Sequence, residues 1–270
     1  MSTPLLKVSN VSKTFVDPSI FLGSTSFYAI KNISFELEEK KTLAIIGKNG
    51  SGKSTIAKVL VGLFPPNTGE IQFKGRTLTF GDYYYRAKHL RMVFQNPDSV
   101  FNARLNVGQI LDEPLKIITA MDTEERDEKI GETLRLVGLY PDHANVRLST
   151  MSSSQKQRVA LARALILKPE IVIIDDTLAT LDATVKIQMM NLLLKIQKRL
   201  GIAYVYIGQN LGIVKHISDQ VLVMDQGEMV EYGDTRKVFT DPQADVTKRL
   251  IESEFGKPLT EAAWYEPSEE

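Results

Sequence analysis

The chain has 270 residues, no cysteine, and 33 lysines and arginines against 33 aspartates and glutamates. The lack of cysteine excludes disulfides, thiolate metal sites and thiol catalysis. The balanced charge argues against a nucleic-acid partner, because a protein that binds nucleic acid normally has an excess of basic residues on one face. No stretch approaches the roughly 18 continuous apolar residues of a membrane-spanning helix. We therefore expect a cytosolic protein that binds no nucleic acid and reaches a membrane only through a partner.

The first part of the chain contains three predicted strands and one predicted helix. Leu5 to Val11 and Ile30 to Leu37 have the alternation of strands and predict an N-terminal antiparallel region. Thr42 to Ile46 is continuously apolar, as expected for a strand that is buried on both faces. Ser54 to Phe64 follows with helical periodicity and stops at two prolines.

The rest of the chain changes character twice. From about Asn96 to Leu165 the pattern is helical and charged. Apolar β-branched runs return at 171–175 and 203–208, on either side of a helical stretch at 183–200, and a third run ends at Met224. Strands that alternate with helices predict a parallel sheet covered on both faces.

A phosphate-binding loop is the clearest motif. The run GKNGSGKS matches the P-loop pattern and lies between an apolar strand and a helix. Its glycines let backbone N–H groups surround phosphate oxygens, and the helix N-terminus adds its dipole. In such loops the lysine, here Lys53, reaches the β- and γ-phosphates and the following hydroxyl, here Ser54, ligates Mg²⁺. We therefore predict that the chain binds ATP and Mg²⁺. The predicted nucleotide contacts in this loop are Gly47, Lys48, Asn49, Gly50, Ser51, Gly52, Lys53, Ser54 and Thr55.

Two carboxylates at the end of a predicted buried strand, IVIIDD, supply the second half of such a site. Strand-end carboxylates also serve as helix caps and turn formers, so the run by itself leaves both interpretations open. Downstream of a P-loop it indicates that Asp175 holds Mg²⁺ through a water and that Asp176 lies beside the attacking water. The motifs together predict an α/β fold. We expect a P-loop NTPase core with a mainly parallel sheet, an N-terminal antiparallel β region and an inserted helical subdomain.

The run MSSSQKQRVALARAL resembles the signature region of ABC-type ATPases, which reads LSGGQ followed by QR and ALARAL. An amphipathic helix with basic residues would explain LARAL but not the serine-glutamine start. The resemblance extends from Leu5 to about Phe239 and is closest to the dipeptide and oligopeptide importer ATPases. It implies an ATP-binding cassette over residues 1–240, with the helical subdomain at about 96–165, and a C-terminal extension over 241–270.

The same resemblance assigns roles to further residues. Gln95, in MVFQNP, corresponds to a glutamine that senses Mg²⁺ and contacts the membrane subunit, and Asp182, in ATLD, lies in a loop that crosses to the partner subunit. Phe15 falls where the family places an aromatic ring on adenine; an ordinary hydrophobic strand-end residue is the alternative, and Tyr28 is a weaker candidate. The residues implied to contact the companion's nucleotide are Ser152, Ser153, Ser154 and Gln155.

Partners follow from the same family. ABC cassettes work as head-to-tail pairs, so the resemblance implies a second ATP-binding subunit, integral membrane permease subunits and, indirectly, a periplasmic binding protein. It implies a peripheral position at the cytoplasmic face of the inner membrane. The implied function is an ATP hydrolase that powers the transport of peptides or small solutes.

Three features depart from the family pattern and concern hydrolysis. Asp176 stands where the catalytic base is usually glutamate, and Asn210 stands where a switch histidine is usual. Asparagine donates a neutral hydrogen bond but carries no proton or charge. Ser153 and Ser154 replace a glycine pair, and serine resists the positive φ that glycine permits. We therefore predict slow hydrolysis at this chain's own site, formed by Asp176, Gln95 and Asn210, with most turnover on the companion.

Two alternatives stay open. A nucleotide-sensing subunit could gate a membrane partner with little hydrolysis, and the departures above favour that interpretation. An ABC ATPase that acts on ribosomes or DNA would carry two cassettes or a long coiled-coil insertion, and this sequence contains neither. Co-purification with membrane subunits would distinguish a transport subunit from an ATPase that acts on ribosomes or DNA. The ATPase activity of the purified complex would distinguish a transport subunit from a nucleotide-sensing one.

Overall fold

The structure is a computed structural model that describes residues 3–16, 26–94, 96–102, 104–175, 181–257, 259–260 and 264. The chain forms two compact units. The first unit comprises Met1–Gly81 and Val205–Glu270, and the second comprises Asp82–Tyr204.

The strands in chain order are β1 (Leu6–Val16), β2 (Ser26–Leu37), β3 (Thr42–Gly47), β4 (Thr68–Phe73), β5 (Arg76–Thr77), β6 (Leu90–Val93), β7 (Ile171–Asp175), β8 (Ala203–Ile207), β9 (Gln220–Asp225) and β10 (Glu228–Asp234). The helices are α1 (Lys53–Leu60), α2 (Tyr83–His89), α3 (Pro97–Val100), α4 (Val107–Ile118), α5 (Thr123–Leu136), α6 (Ser153–Leu165), α7 (Ala183–Leu200), α8 (Leu211–Ile217), α9 (Thr235–Thr240) and α10 (Asp245–Phe255).

The predicted N-terminal antiparallel region is confirmed in the first unit. Four strands form a sheet in the order β2-β1-β4-β5. Strands β1 and β2 pair in an antiparallel register that sets Leu6 opposite Leu37 and Val8 opposite Phe35. These four side chains are buried, so the alternation in the sequence corresponds to one core-facing side of the sheet.

A second group of strands in the first unit has the order β10-β9-β3-β8. Strand β3 is parallel to β9, with Ala44 opposite Val221 and Ile46 opposite Val223, and β9 is antiparallel to β10. Every residue of β3 is buried, as predicted from its continuous apolar run. The P-loop follows directly from this buried strand.

The helix after the P-loop ends earlier than predicted. Helix α1 stops at Leu60 rather than at Phe64, because Gly62 adopts a positive φ of 79°. Leu63 N–H donates to the carbonyl of Lys58 at 2.8 Å, and Gly62 N–H donates to Val59 at 3.1 Å. This pair of bonds is the Schellman motif, which closes a helix with a glycine. The predicted end at the two prolines was therefore wrong by about one turn.

The second unit is mainly helical, as predicted for the middle of the chain, and contains strands β6 and β7. These pair in parallel, with Leu90 opposite Ile171 and Val93 opposite Ile174, and β7 lies between β6 and the start of β8. Helix α5 begins with a capping box in which the Asp122 carboxylate accepts from Glu125 N–H at 3.0 Å and the Glu125 carboxylate accepts from Asp122 N–H at 2.8 Å. Among the described residues, no helix is long and apolar enough to cross a membrane.

Aromatic side chains hold the C-terminal part of the chain in place within the first unit. The Phe239 ring lies 6.3 Å from that of Phe255 and 6.0 Å from the indole of Trp264. The Lys215 amine lies 5.4 Å from the Trp264 ring centre, within cation–π range. Trp264 therefore docks the described end of the chain onto helices α8 and α9.

Candidate nucleotide-binding site

The loop from Gly47 to Ser54 is shaped by glycine conformations. Gly47, Gly50 and Gly52 have φ of 147°, 79° and 101°, a region that residues with a Cβ rarely adopt. A Cβ at Gly47 would collide with the backbone oxygen of Met224, and a Cβ at Gly52 would collide with the backbone oxygen of Ala29 and lie 2.9 Å from Ile30. Close packing by neighbouring backbone therefore leaves no room for side chains at Gly47 and Gly52.

Lys53 places its charge under this loop. Its side chain is buried, and its amine donates to the carbonyls of Gly47 at 2.8 Å and Lys48 at 2.7 Å. Ser54 follows as an exposed residue in the first turn of α1. The backbone N–H groups of a helix N-terminus attract anions. A buried ammonium at the same helix end adds a full positive charge, so the loop can hold a multiply charged phosphate chain.

The loop after β8 makes a contact that the sequence analysis missed. The Gln209 side-chain amide donates to the Asn49 side-chain oxygen at 2.8 Å, so it reaches the P-loop directly. Asn210, the predicted switch residue, uses its side-chain oxygen to accept from Ile213 N–H at 2.9 Å and thereby caps helix α8. The sequence signal for Gln209 is its place just after strand β8. Because parallel strands of one sheet end at the same edge, a residue after β8 can lie beside the P-loop, which follows β3.

Aromatic side chains gather around Phe15. Its ring is half-buried and lies 5.2 Å from that of Phe64, edge to face, and 6.2 Å from that of Phe27. The Lys13 amine lies 5.4 Å from the same ring. Tyr28 is 57% exposed. Phe15 thus has the contacts of a strand-end hydrophobic residue, and its stacking on adenine stays a prediction.

The signature run begins helix α6 in the second unit. Ser152 is the N-cap: its hydroxyl accepts from Gln155 N–H at 3.3 Å, and the Gln155 side chain accepts from Ser152 N–H at 3.0 Å. Ser153 and Ser154 are the first two residues of the helix, and neither has a positive φ. The serines therefore meet no positive-φ requirement in this chain, because a capping box needs no left-handed residue at its first helical positions. Their effect on the companion's nucleotide stays a prediction.

Two predicted acids also lie in the second unit. Asp175 ends β7 and is 6% exposed. The Asp182 carboxylate accepts from Val185 N–H at 2.9 Å and caps α7. Gln95 and Asp176, together with Ala179 and Thr180 of the ATLD run, lie outside the described residues, so their roles stay predictions.

A glycine loop after a buried strand, closed by a lysine at a helix N-terminus, defines a P-loop nucleotide-binding protein. The family described as ABC transporter matches residues 30–179, which is more than half of the chain. The chain belongs to this family and is an ATP-binding cassette of the ATP-hydrolysing kind. The predicted fold class and the predicted ATP hydrolase are thereby confirmed.

Curated relatives show which members of the ABC transporter family this chain is similar to. The stretches LAIIGKNGSGKSTIAKVL and VKHISDQVLVMDQGEMVEYG predict similarity to the Sap peptide transport system ATP-binding protein SapF, and this is confirmed. The chain is 48% identical over 264 residues to the putrescine export system ATP-binding protein SapF of Escherichia coli K12, with 98% of each chain covered. It is 37% identical over 255 residues to the dipeptide transport ATP-binding protein DppF of the same strain, covering 93% of this chain and 76% of that protein.

Solved structures agree in fold. The cassette MJ0796, in a dimeric post-hydrolysis state bound to ADP and Pi, matches with a TM-score of 0.75 and 27% identity, covering 85% of this chain and 98% of that chain. The cbiO1 protein of Clostridium perfringens, part of the ABC transporter complex cbiONQ, matches with a TM-score of 0.76 and 25% identity, covering 94% and 96%.

Proposed function

We propose that this chain couples ATP binding and hydrolysis to the movement of peptides or small solutes across a membrane. The observation that carries the proposal is the buried Lys53 amine beneath a loop that leaves no room for side chains at Gly47 and Gly52. Such a loop binds phosphate through backbone N–H groups and one ammonium, so binding energy is directed at the triphosphate rather than at the base. Closure of two cassettes on ATP and reopening after hydrolysis would then move the membrane partner.

The side chains predicted for the metal site carry the oxygen atoms that suit a magnesium ion. Mg²⁺ takes oxygen ligands and is held by one or two carboxylates together with substrate phosphates rather than by a dedicated cage. We propose that the Ser54 hydroxyl ligates the ion, that the Asp175 carboxylate holds it through a water, and that Gln95 contributes as well. When bound, the ion would neutralise charge that develops on the phosphates.

The proposed assembly is a head-to-tail pair with a second ATP-binding subunit, attached to integral membrane permeases at the cytoplasmic face of the inner membrane. A periplasmic binding protein would act indirectly. Two observations support this proposal. MJ0796 is a dimeric cassette and cbiO1 is part of a transporter complex. Ser152 to Gln155 form a helix start whose N–H groups suit a phosphate that comes from another chain.

The solute is proposed at the level of peptides or small solutes. Relatives that are 48% identical to this chain carry two descriptions, putrescine export in one Escherichia coli strain and peptide transport in another. A cassette contacts nucleotide and permease rather than solute. We therefore expect this chain to be equally similar to cassettes described for putrescine export and for peptide transport.

A slow hydrolytic site in this chain is part of the proposal. Asp176 is one methylene shorter than the usual glutamate, and a displacement of about 1 Å can reduce a rate on the order of 10²-fold. The side-chain oxygen of Asn210 accepts a hydrogen bond that caps α8. Gln209, which contacts Asn49, is therefore the better candidate to relay changes at the P-loop to the loop after β8. A nucleotide-sensing subunit with little hydrolysis is the second candidate function, and the departures at Asp176 and Asn210 favour it.

The test compares Lys53→Ala with Lys48→Ala, which removes an exposed side chain from the same loop but keeps the backbone N–H predicted to contact phosphate. Because hydrogen bonds to charged groups contribute about 1.5 to 3 kcal/mol, we expect Lys53→Ala to weaken ATP binding by about 10- to 100-fold. Lys48→Ala should change it less than threefold, on the order of an exposed charge pair. Equal losses in both variants would contradict the proposed role of the loop.

Single-turnover hydrolysis by the assembled complex separates the two candidate functions. With Lys53→Ala in this chain, we expect most turnover to persist, whereas the equivalent change in the companion should abolish it. Loss of turnover as complete in the first case as in the second would refute the asymmetric site. If the assembled complex shows no solute-stimulated ATP turnover when both chains are intact, that result would favour the sensing function.

A further inference from the structure

A basic pocket lies within the second unit and shares no residue with the candidate nucleotide site. Its volume is about 470 Å³, and its charged lining consists of Lys129, Arg135, Lys168 and Arg199, with Glu132 as the one acid in the lining. Ligand pockets in proteins typically measure about 300 to 1,000 Å³. The pocket is therefore large enough for a small molecule and carries a clear excess of positive charge.

Two of these cations face each other. The Lys129 side chain is 14% exposed, and its only ion pair among the described residues is with Glu132, at 3.6 Å. Burial lowers the pKa of the Lys129 amine, and the neighbouring Lys168 ammonium lowers the same pKa further. Lys168 also has a φ of 52°, a left-handed conformation that costs roughly 1 kcal/mol for a residue with a Cβ. Both the repulsion and the backbone strain oppose folding unless something else balances them.

Helix ends explain only part of this charge. Helices α5, α6 and α7 end at Leu136, Leu165 and Leu200, and all three residues line the pocket. Each helix C-terminus carries roughly half a negative charge. Three ends and Glu132 together offset about two and a half of the four positive charges. An excess of more than one positive charge is left for a ligand.

We propose that the basic pocket binds a phosphate-bearing anion. Arginine forks match phosphate oxygens in two-point contacts, and lysines act as point charges beside them. Arg135 and Arg199 supply the forks, and Lys129 and Lys168 supply an ammonium pair whose repulsion a phosphate would relieve. A free polyphosphate and the headgroup of an anionic phospholipid share this chemistry, and the three leucines of the lining suit an adjoining apolar group.

The first experiment measures binding of inorganic tripolyphosphate to the full chain by calorimetry, with MgADP at saturation so that the P-loop is occupied. We expect Lys129→Gln/Lys168→Gln to weaken this binding by about tenfold or more, since each charge-assisted contact contributes on that order. The matched control is Lys88→Gln/Lys195→Gln, which removes the same charge at two exposed positions of the same unit. This control should bind as wild type does.

A second arm identifies the source of the phosphate. Flotation of the chain with phosphatidylcholine vesicles that contain 30% phosphatidylglycerol is compared with flotation on phosphatidylcholine alone. Vesicle binding that depends on Lys129 and Lys168, without tripolyphosphate binding, assigns the pocket to a lipid headgroup. The reverse result assigns it to a free anion, and either result supports the proposal.

Thermal unfolding keeps the proposal testable if the double variant folds poorly. Lys168→Gln should raise the unfolding midpoint by about 1 to 2 °C, because it removes like-charge repulsion at little other cost. Arg199→Gln, at an exposed position, should weaken tripolyphosphate binding without lowering the midpoint. Two results would overturn the proposal. One is that neither probe binds in a way that depends on the pocket residues. The other is that Lys168→Gln lowers the midpoint as loss of a helix-end contact would.

Discussion

The P-loop, Gly47 to Ser54, and the signature turn, Ser152 to Gln155, both start a helix, yet they are built in different ways. The P-loop takes its shape from glycines with φ between 79° and 147°, and at Gly47 and Gly52 backbone atoms fill the space that a side chain would need. The signature turn takes its shape from two reciprocal side-chain hydrogen bonds at 3.0 and 3.3 Å. The P-loop leaves no room for a side chain at Gly47 or Gly52, whereas a turn built from a cap tolerates serine.

This difference alters the meaning of the departures from the family pattern. Serines at the signature turn impose no left-handed conformation, so they carry no conformational penalty. The departures still predicted to affect hydrolysis are Asp176 and Asn210, and the Asn210 side chain caps α8. The comparison therefore directs the question of slow hydrolysis to these two predicted positions rather than to the signature turn.

The largest expected effect tests the backbone-built loop. Gly52→Ala would place a Cβ against the Ala29 carbonyl at a φ of 101°, so we expect a loss of about 2 to 5 kcal/mol in the free energy of unfolding. Gly50→Ala is the matched control, because its φ is 79° but no atom lies within 4 Å of the added carbon. It should lose only about 1 to 2 kcal/mol. Equilibrium urea unfolding of both variants measures the difference, and equal losses would mean that packing contributes nothing.

The next effect tests the side-chain-built turn. Ser152→Ala removes the hydroxyl that accepts from Gln155 N–H, and loss of an N-cap costs about 0.5 to 2 kcal/mol. Ser152→Asp keeps an acceptor at the same position and should retain most of the stability. Urea unfolding of both variants is the measurement. An alanine variant as stable as wild type would show that the cap does not hold this turn.

A third prediction separates capping from signalling at the loop after β8. Asn210→Ala should lower the free energy of unfolding by about 1 kcal/mol, because it removes the cap of α8. Gln209→Ala removes an exposed hydrogen bond to Asn49, so it should change stability by less than about 0.5 kcal/mol. We expect the second variant nevertheless to lower ATP turnover by the assembled complex more than the first does. The opposite order of turnover would return the relay role to Asn210.

Local features were predictable from the sequence, and long-range or conformational features were not. The strand β3 and the P-loop follow from an apolar run and a motif that are continuous in the chain. The contact between Gln209 and Asn49 joins residues 160 positions apart and depends on β8 lying next to β3, which no local pattern specifies. The early end of α1 depended on the conformation of Gly62, since glycine in a helical pattern can continue the helix or close it.

The capping box at the signature turn was within reach of the sequence. Serine followed three residues later by glutamine, just before an apolar run, is the pattern that starts a helix in this way. Comparison with a family pattern drew attention instead to the missing glycines and to the positive φ that serine resists. The local pattern predicts the backbone conformation of this turn, whereas the family pattern concerns its contact with a companion's nucleotide.

The smallest expected effect puts this conclusion to a direct test. Ser153→Gly/Ser154→Gly restores the family's glycine pair at two helical positions. Glycine is less favourable than serine in a helix by roughly 0.5 kcal/mol per residue, so we expect a modest loss of stability and no gain in ATP turnover by the assembled complex. Ser153→Ala/Ser154→Ala is the control, because alanine also removes both hydroxyls but favours the helix. A several-fold rise in turnover for the glycine variant alone would mean that the turn needs the conformational freedom of glycine after all, and the contrast with the P-loop would then fail.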